Sequence, residues 1–149
     1  MSGDAQFLLE LRNDDRSRAY SRNSQLIESS GHFEWLAATL VDPRVRLMIA
    51  ESDGRRVGMI RVNHDATSAE VSWAVSADCR GRGFGTAMLR LAVDREATAL
   101  YATIHDENIA SQVMAAHAGF VRVTVDGIWT TWRRPPQDVG SDSVNELRK

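Results

Sequence analysis

Short apolar runs alternate with polar turns along the chain, and the period of each run predicts its element. Phe7, Leu8, Leu9 and Leu11 make a near-continuous apolar run, which predicts a first strand over Phe7 to Leu11. Asn13, Asp14 and Asp15 follow, residue types that start helices. Phe33, Leu36, Ala37 and Leu40 recur at helical spacing and predict a helix from His32 to Leu40, stopped by Pro43. Val45 to Ala50 and Val57 to Val62 flank Ser52-Asp53-Gly54, and Asp-Gly between two such runs predicts a hairpin. Ala69, Val71, Trp73 and Val75 alternate with Glu70, Ser72 and Ala74, which is strand periodicity. Phe84, Ala87, Met88 and Leu91 form a helical stripe after Gly83, and Leu100 to Ile104 reads as a short strand. Ile109 to Ala118 reads as a helix, with Asn108 as its N-cap and Gly119 as its stop. Val121, Val123 and Val125 alternate up to an Asp126-Gly127 turn, and Ile128 to Trp132 completes a second hairpin.

The predicted order is therefore β, α, β-β-β, α, β, α, β-β. Antiparallel hairpins ahead of a β-α-β unit predict a mixed, mostly antiparallel sheet flanked by helices, an α/β (α+β) fold. There is no internal repeat. Residues 1–134 read as one domain. Pro135-Pro136 then open a polar tail, 135–149, with too little apolar surface for a core of its own. The tail is expected either to stay disordered or to dock on the domain or on a partner.

Composition removes several classes of function. The 149 residues are 43% hydrophobic and 26% charged, values of one ordinary globular domain. Lys plus Arg number 18 against 20 Asp plus Glu, a net charge of −2, so no nucleic-acid partner is expected. Cys79 is the lone cysteine, which excludes an internal disulfide framework and a cysteine zinc cluster. His32, His64, His105 and His117 lack paired metal-ligand spacing, so no metal is expected. No apolar run approaches the roughly 20 residues that span a bilayer, so no membrane partner is expected. Met1 to Gln6 lacks the basic-then-apolar order of a secretion signal, and the cytoplasm is the expected location.

The chemistry concentrates in Val75 to Thr86, between a predicted strand and a predicted helix. Gly81, Gly83 and Gly85 let the backbone turn sharply and bring N–H groups close to a ligand. The helix that follows adds unpaired N–H groups and the positive end of its dipole, and Arg80 and Arg82 add full charges. This arrangement suits a diphosphate. A P-loop would need a lysine before Thr86, where Gly85 stands. A dinucleotide fingerprint fails too, because its third glycine falls on Thr86 or Met88. A plain Gly-rich turn is the remaining alternative.

Arg80-Gly81-Arg82-Gly83-Phe84-Gly85 resembles the R/Q-x-x-G-x-G/A signature of the GNAT (Gcn5-related) N-acetyltransferases. Ala74-Val75 resembles the apolar strand end that leads into it, and Asn108-Ile109-Ala110-Ser111 with Gly119-Phe120 resembles the family's N-x-x-S … G-F pattern. The resemblance covers about residues 6 to 133. It implies the GNAT fold, with the sheet splayed between the strands Ala69–Val75 and Leu100–Ile104, the fourth and fifth in predicted order. It also implies acetyl-CoA as cosubstrate and direct transfer of the acetyl group to a primary amine. The diphosphate would sit on Arg80, Gly81, Arg82, Gly83, Phe84, Gly85, Thr86 and Ala87, and the pantetheine arm along Ala74, Val75 and Ser76. Asn108 and Ser111 would line the other side of the cofactor cleft, although simple capping also accounts for them.

Acyl transfer to an amine needs an oxyanion donor and proton acceptors. A backbone N–H near Val75 suits the first. Glu70 and Ser72 share a strand face, and Glu70 is suited to deprotonate an ammonium directly or through a water. His105, just past its short strand, is a second candidate base; a solvated Glu70 and a plain loop His105 are the alternatives. His64 is a weaker candidate, and His117 reads as structural. Many family members place a Tyr four residues before the G-F glycine to protonate the departing thiolate, and Ala115 stands there in this chain. Ser111, Tyr101 or a water would take that part. Cys79 is not expected to act as a nucleophile.

Leu11-Arg12-Asn13-Asp14, His32-Phe33-Glu34-Trp35 and Asp42-Pro43 resemble the R-N-D … H-x-x-W … D-P pattern of one branch of the family. That branch holds sugar-nucleotide amine acetyltransferases of the pseudaminic-acid type beside ribosomal-protein-type relatives. The resemblance implies an acceptor wall in which Arg12 or Arg16 pairs with a phosphate, Trp35 stacks on a base or sugar, and His32 donates a hydrogen bond. A core Trp35 and a helix-capping His32 are the plainer readings. The alternative acceptors are a protein N-terminus, a polyamine or an antibiotic, and a non-catalytic acyl-CoA-binding module is the alternative to an enzyme. An acidic acceptor cleft favours polyamines and a basic one nucleotide sugars. A homodimer through strand joining at Ile128 to Trp132 is a further expectation.

Overall fold

The computed structural model of the chain describes residues 3–138. The tail residues 139–149, for which disorder or docking is expected, lie outside the described residues. Three helices come first: α1 (Gly3–Asn13), α2 (Asp15–Ala19) and α3 (Ser29–Val41). They are followed by β1 (Val45–Ser52), β2 (Arg55–His64), β3 (Ser68–Val75), a 3-10 turn (Ala77–Cys79), α4 (Phe84–Val93), β4 (Ala99–His105), α5 (Ile109–His117), β5 (Val121–Asp126) and β6 (Trp129–Arg134). The six strands form one sheet in the order β1-β2-β3-β4-β6-β5. Every neighbouring pair is antiparallel except β3 and β4.

Local chemistry accounts for the joints. Asp53 and Gly54 both take positive φ (52° and 77°), the conformation of the two-residue turn whose twist matches a β-hairpin. The parallel β3–β4 pair needs a crossover, and α4 supplies it. Asn108 caps α5 by accepting from the Ser111 N–H at 3.2 Å, and Gly119 leaves the helix at φ 91°.

One face of the sheet is covered by α4 and α5. Its core gathers Ile60, Val62, Val71, Leu89, Val93, Leu100, Ile104 and Phe120. Leu89 is fully buried, which is worth about 2–3 kcal/mol for a side chain of that size. Arg134, 1% exposed, donates to the carbonyls of Val93 and Glu96 at 2.6 Å each and so satisfies the C-terminal end of α4. The N-terminal helices lie against the other face.

Two expectations are corrected. Phe7 to Leu11 is not a strand but the middle of α1, which buries Ala5, Leu8 and Leu9 at helical spacing. A five-residue apolar run carries too few turns to separate the two periods. Ile128 to Trp132 is not a free strand either. Residues 129–134 form β6, which is bonded to β4 on one side and β5 on the other, so no edge remains for a second chain. The edge strands are β1 and β5, and the residues of β5 are all exposed.

Candidate active site

β3 and β4 pair only where Ser68–Glu70 meets Ala99–Tyr101. Beyond that they diverge, and the edge of β3 from Val71 to Val75 has no ladder partner on β4. A cleft of about 1190 Å³ occupies the fork and runs on beneath the N-terminal helices.

At one end of the cleft stands the N-terminus of α4. Gly83 precedes it at φ 81°, a left-handed conformation that favours glycine, and no side chain caps the helix. The first bond within the helix runs from the Ala87 N–H to the Gly83 carbonyl at 3.2 Å, so the N–H groups before it are left bare. Gly81, Gly83, Gly85 and Thr86 line the cleft there. Bare amides at the positive end of a helix dipole make an anion site. Gly85 is required by packing as well. A Cβ at that position would collide with Met114 Sδ and approach Val75 Cγ2 to 3.1 Å.

Arg80 also lines the cleft, but its guanidinium is engaged. Nη2 donates to Asp14 Oδ2 at 2.6 Å, and the same oxygen accepts from the Ser17 N–H at 3.1 Å to cap α2. Burial pushes the Asp14 carboxyl up, but the Arg80 hydrogen bond and charge and the Ser17 amide together outweigh it, so the carboxyl stays below its ordinary range. Ser76, Arg82, Phe84 and Ala87 are not among the residues that line the cleft. The Ser76 amide donates to the Val57 carbonyl and its hydroxyl to Asp78, while Phe84 packs on the core.

The α5 side contributes Asn108 and Ser111. Ser111 Oγ accepts from Trp73 Nε1 at 3.3 Å, which leaves the hydroxyl proton free to be donated elsewhere. Ala115 is fully buried in the core, so nothing at that position reaches the cleft.

The far end holds the other candidates. Glu70, Ser72 and Ala74 share the cleft-facing side of β3, with Val75 at its end. His105 lies between the rings of Tyr20 and Trp129, at centroid distances of 5.2 and 5.3 Å. Its Nδ1 accepts the Glu107 N–H at 3.1 Å, and Asp106 Oδ1 is 3.2 Å from the same nitrogen. Nδ1 accepts from Glu107 only when the proton is on Nε2, whereas a bond to the Asp106 carboxylate needs the proton on Nδ1, so the two contacts call for opposite tautomers.

Arg12 and Arg16 line the cleft, Arg12 donating to Ser21 Oγ at 2.6 Å. Trp35 lines it at 37% exposure, so it is not a core tryptophan. His32 also lines it, but is 3% exposed and holds the Ala5 carbonyl at 3.2 Å through Nε2, tying α3 to α1. His64 serves elsewhere, with Nε2 2.9 Å from Glu96 Oε2, and Cys79 is buried. Sequence reasoning missed Tyr20, Arg22, Arg61 and Trp129, all of which line the cleft. Only the strand alternation carried a signal for Arg61, because it pairs across β2 and β3 with Ser72.

A six-stranded mixed sheet forked over a bare helix N-terminus is the architecture of an N-acetyltransferase. The Acetyltransferase (GNAT) family pattern matches residues 5–120, and the chain belongs to that family. Solved structures share the fold. A ribosomal-protein-alanine N-acetyltransferase from Brucella melitensis is 22% identical, with a TM-score of 0.72 over 89% of this chain and 94% of that one. A spermidine N-acetyltransferase from Vibrio cholerae, in complex with CoA and spermine, is 17% identical, with a TM-score of 0.74 over 89% of each chain. An aminoglycoside acetyltransferase in complex with coenzyme A and kanamycin is 16% identical, with a TM-score of 0.72 over 98% of this chain and 94% of that one. Comparison with curated protein sequences returns no significant match.

Proposed function

We propose that this enzyme moves the acetyl group of acetyl-CoA directly onto a primary amine of a small anionic molecule, with an amino sugar nucleotide as the favoured class. The observation that carries the donor half is the fork between β3 and β4 above the bare N-terminus of α4. Pyrophosphate would be held by the amides of the first turn of α4, with Gly81 and Gly83 giving close approach. The pantetheine arm would bond to the unpartnered edge of β3.

The chemistry follows from the residues around that edge. The amine nitrogen attacks the thioester carbonyl, and its C–N bond forms as the carbonyl oxygen gains charge. A β3 amide near Val75 stabilises that oxygen. Glu70 takes the proton that the ammonium must lose, directly or through a water. The C–S bond then breaks, and the second proton lost by the nitrogen reaches the thiolate through the Ser111 hydroxyl or a water, which is left neutral. His105 is the second candidate base: with its proton on Nδ1 towards Asp106, its Nε2 is free to accept.

The lining supports the acceptor half. Arg12, Arg16, Arg22, Arg61 and Arg80 stand against Glu70, the lone carboxylate among the lining residues. Such a field repels polycations and attracts anions. The test is thiol release from acetyl-CoA with four acceptors: an amino sugar nucleotide, spermidine, kanamycin and an alanine-initiated peptide. The proposal expects the sugar nucleotide to turn over best. Preference for spermidine or kanamycin would overturn the acceptor half, and calorimetry showing no binding of coenzyme A would overturn the whole.

A further inference from the structure

Arg61 is the most prepared cation in the acceptor half of the cleft. Its Cζ lies 5.4 Å from the centroid of the Trp35 ring, and its Nε donates to Asn63 Oδ1 at 2.9 Å. The indole supports the planar guanidinium while the amide fixes its rotation. Neither terminal nitrogen of Arg61 has a hydrogen-bond or ion-pair partner among the described residues, although the side chain is only partly exposed and lines the cleft. Two terminal N–H groups in one plane form the fork that matches a phosphate or a carboxylate. Arg12 is bonded to Ser21, Arg22 to Thr103 and Arg80 to Asp14, so their cationic ends are already engaged, and Arg16 is exposed with no ring or amide to brace it among the described residues.

Arg61 also stands beside the reacting end of β3. It pairs across the ladder with Ser72, and its neighbour Asn63 pairs with Glu70. Arg61, Ser72 and Glu70 therefore share one face, with Arg61 and Glu70 diagonal neighbours about 7–8 Å apart at their backbones. An amine presented to Glu70 would place a substituent one sugar ring away within reach of Arg61.

We infer that Arg61, braced by Trp35 and Asn63, is the specificity residue that selects acceptors bearing a phosphate or carboxylate near the reacting amine. The inference rests on the acetyl-transfer reading and narrows its acceptor. It also changes the expected part of Trp35. The side of the indole that Arg61 covers braces a guanidinium rather than stacking on a base.

The test is calorimetric titration of the enzyme preloaded with coenzyme A, so that the donor's own phosphates already occupy their site. The probes are glucosamine 6-phosphate, muramic acid and glucosamine: phosphate, carboxylate and neutral arms. At least one anionic arm is expected to bind about tenfold or more tightly than glucosamine, the scale of a charged hydrogen-bonded pair. The tighter arm identifies the anion. Arg61→Gln is expected to close that gap while leaving coenzyme A affinity and glucosamine affinity unchanged, and Arg61→Lys to restore part of it. Equal or weaker binding of both anionic arms, undetectable binding included, overturns the inference. So does a preference that survives intact in Arg61→Gln. Failure of coenzyme A to bind in the loading step would instead overturn the donor reading, so the two failures are distinct.

Discussion

Arg80 and Asp14, 66 positions apart in sequence, meet at 2.6 Å. Their contact ties the turn that leads into α4 to the N-cap of α2, and so joins the proposed donor end of the cleft to its proposed acceptor wall. Because the folded carboxyl of Asp14 lies below its ordinary value, the pair contributes stability above about pH 4, the usual range of an unfolded aspartate. That contribution is lost as pH falls through the folded pKa. Asp14→Asn keeps a good cap but loses the charge. The stability gap between wild type and Asp14→Asn, read from urea unfolding, is expected to be widest above about pH 4 and to shrink towards pH 2. A gap that grows on acidification would contradict this.

Gly85→Ala places a methyl group against Met114 Sδ and Val75 Cγ2. We expect it to destabilise the protein by about 1–3 kcal/mol, the usual cost of overpacking. Because the thioether end of Met114 is flexible, the double variant Gly85→Ala/Met114→Ala is expected to be less destabilised than the sum of its singles. Denaturant midpoints for the four proteins decide it, and simple additivity would argue against the contact.

Glu70→Gln removes the carboxylate proposed as base while leaving the strand face intact. kcat is expected to fall by about 10²–10³-fold near neutral pH. The loss should narrow as rising pH supplies free amine. Coenzyme A affinity should stay constant, because Glu70 lies on the cleft face towards the acceptor wall. A pH–rate profile parallel to that of wild type would remove Glu70 from the mechanism.

Glu96 is 7% exposed and bridges Arg46 at 2.6 Å and His64 at 2.9 Å. Glu96→Ala leaves Arg46 half-buried without its partner and is expected to cost about 3 kcal/mol. Thermal unfolding should show the loss, with kcat per folded molecule unchanged because the cluster lies outside the cleft lining.

The glycine turn and the bare N-terminus of α4 were the most legible part of the sequence, for a local reason. Gly81, Gly83, Gly85 and the helix they introduce are contiguous, and Gly81 and Gly83 meet turn requirements set within a few residues, whereas the Met114 that restricts Gly85 lies on α5. The hairpin at Asp53-Gly54 was legible in the same way. α1 was misread because Phe7 to Leu11 is apolar at nearly every position. The helical signal lay partly outside that run, in the spacing of Ala5 to Leu8 and Leu9. The acceptor end was largely hidden. Asp14 finds Arg80, Tyr20 finds His105, and Trp35 finds Arg61 only after the chain has folded, and no local spacing encodes those meetings. His32 shows the converse, since a residue type suited to a ligand is committed to the Ala5 carbonyl.

The three-residue contact between β3 and β4 divides the sheet into two stiff leaves bound along a short spine. Each leaf keeps its own register through antiparallel ladders that never cross that spine. Side chains on the leaf made by β1, β2 and β3 can therefore be exchanged to suit a new acceptor without shifting the strands β4, β6 and β5.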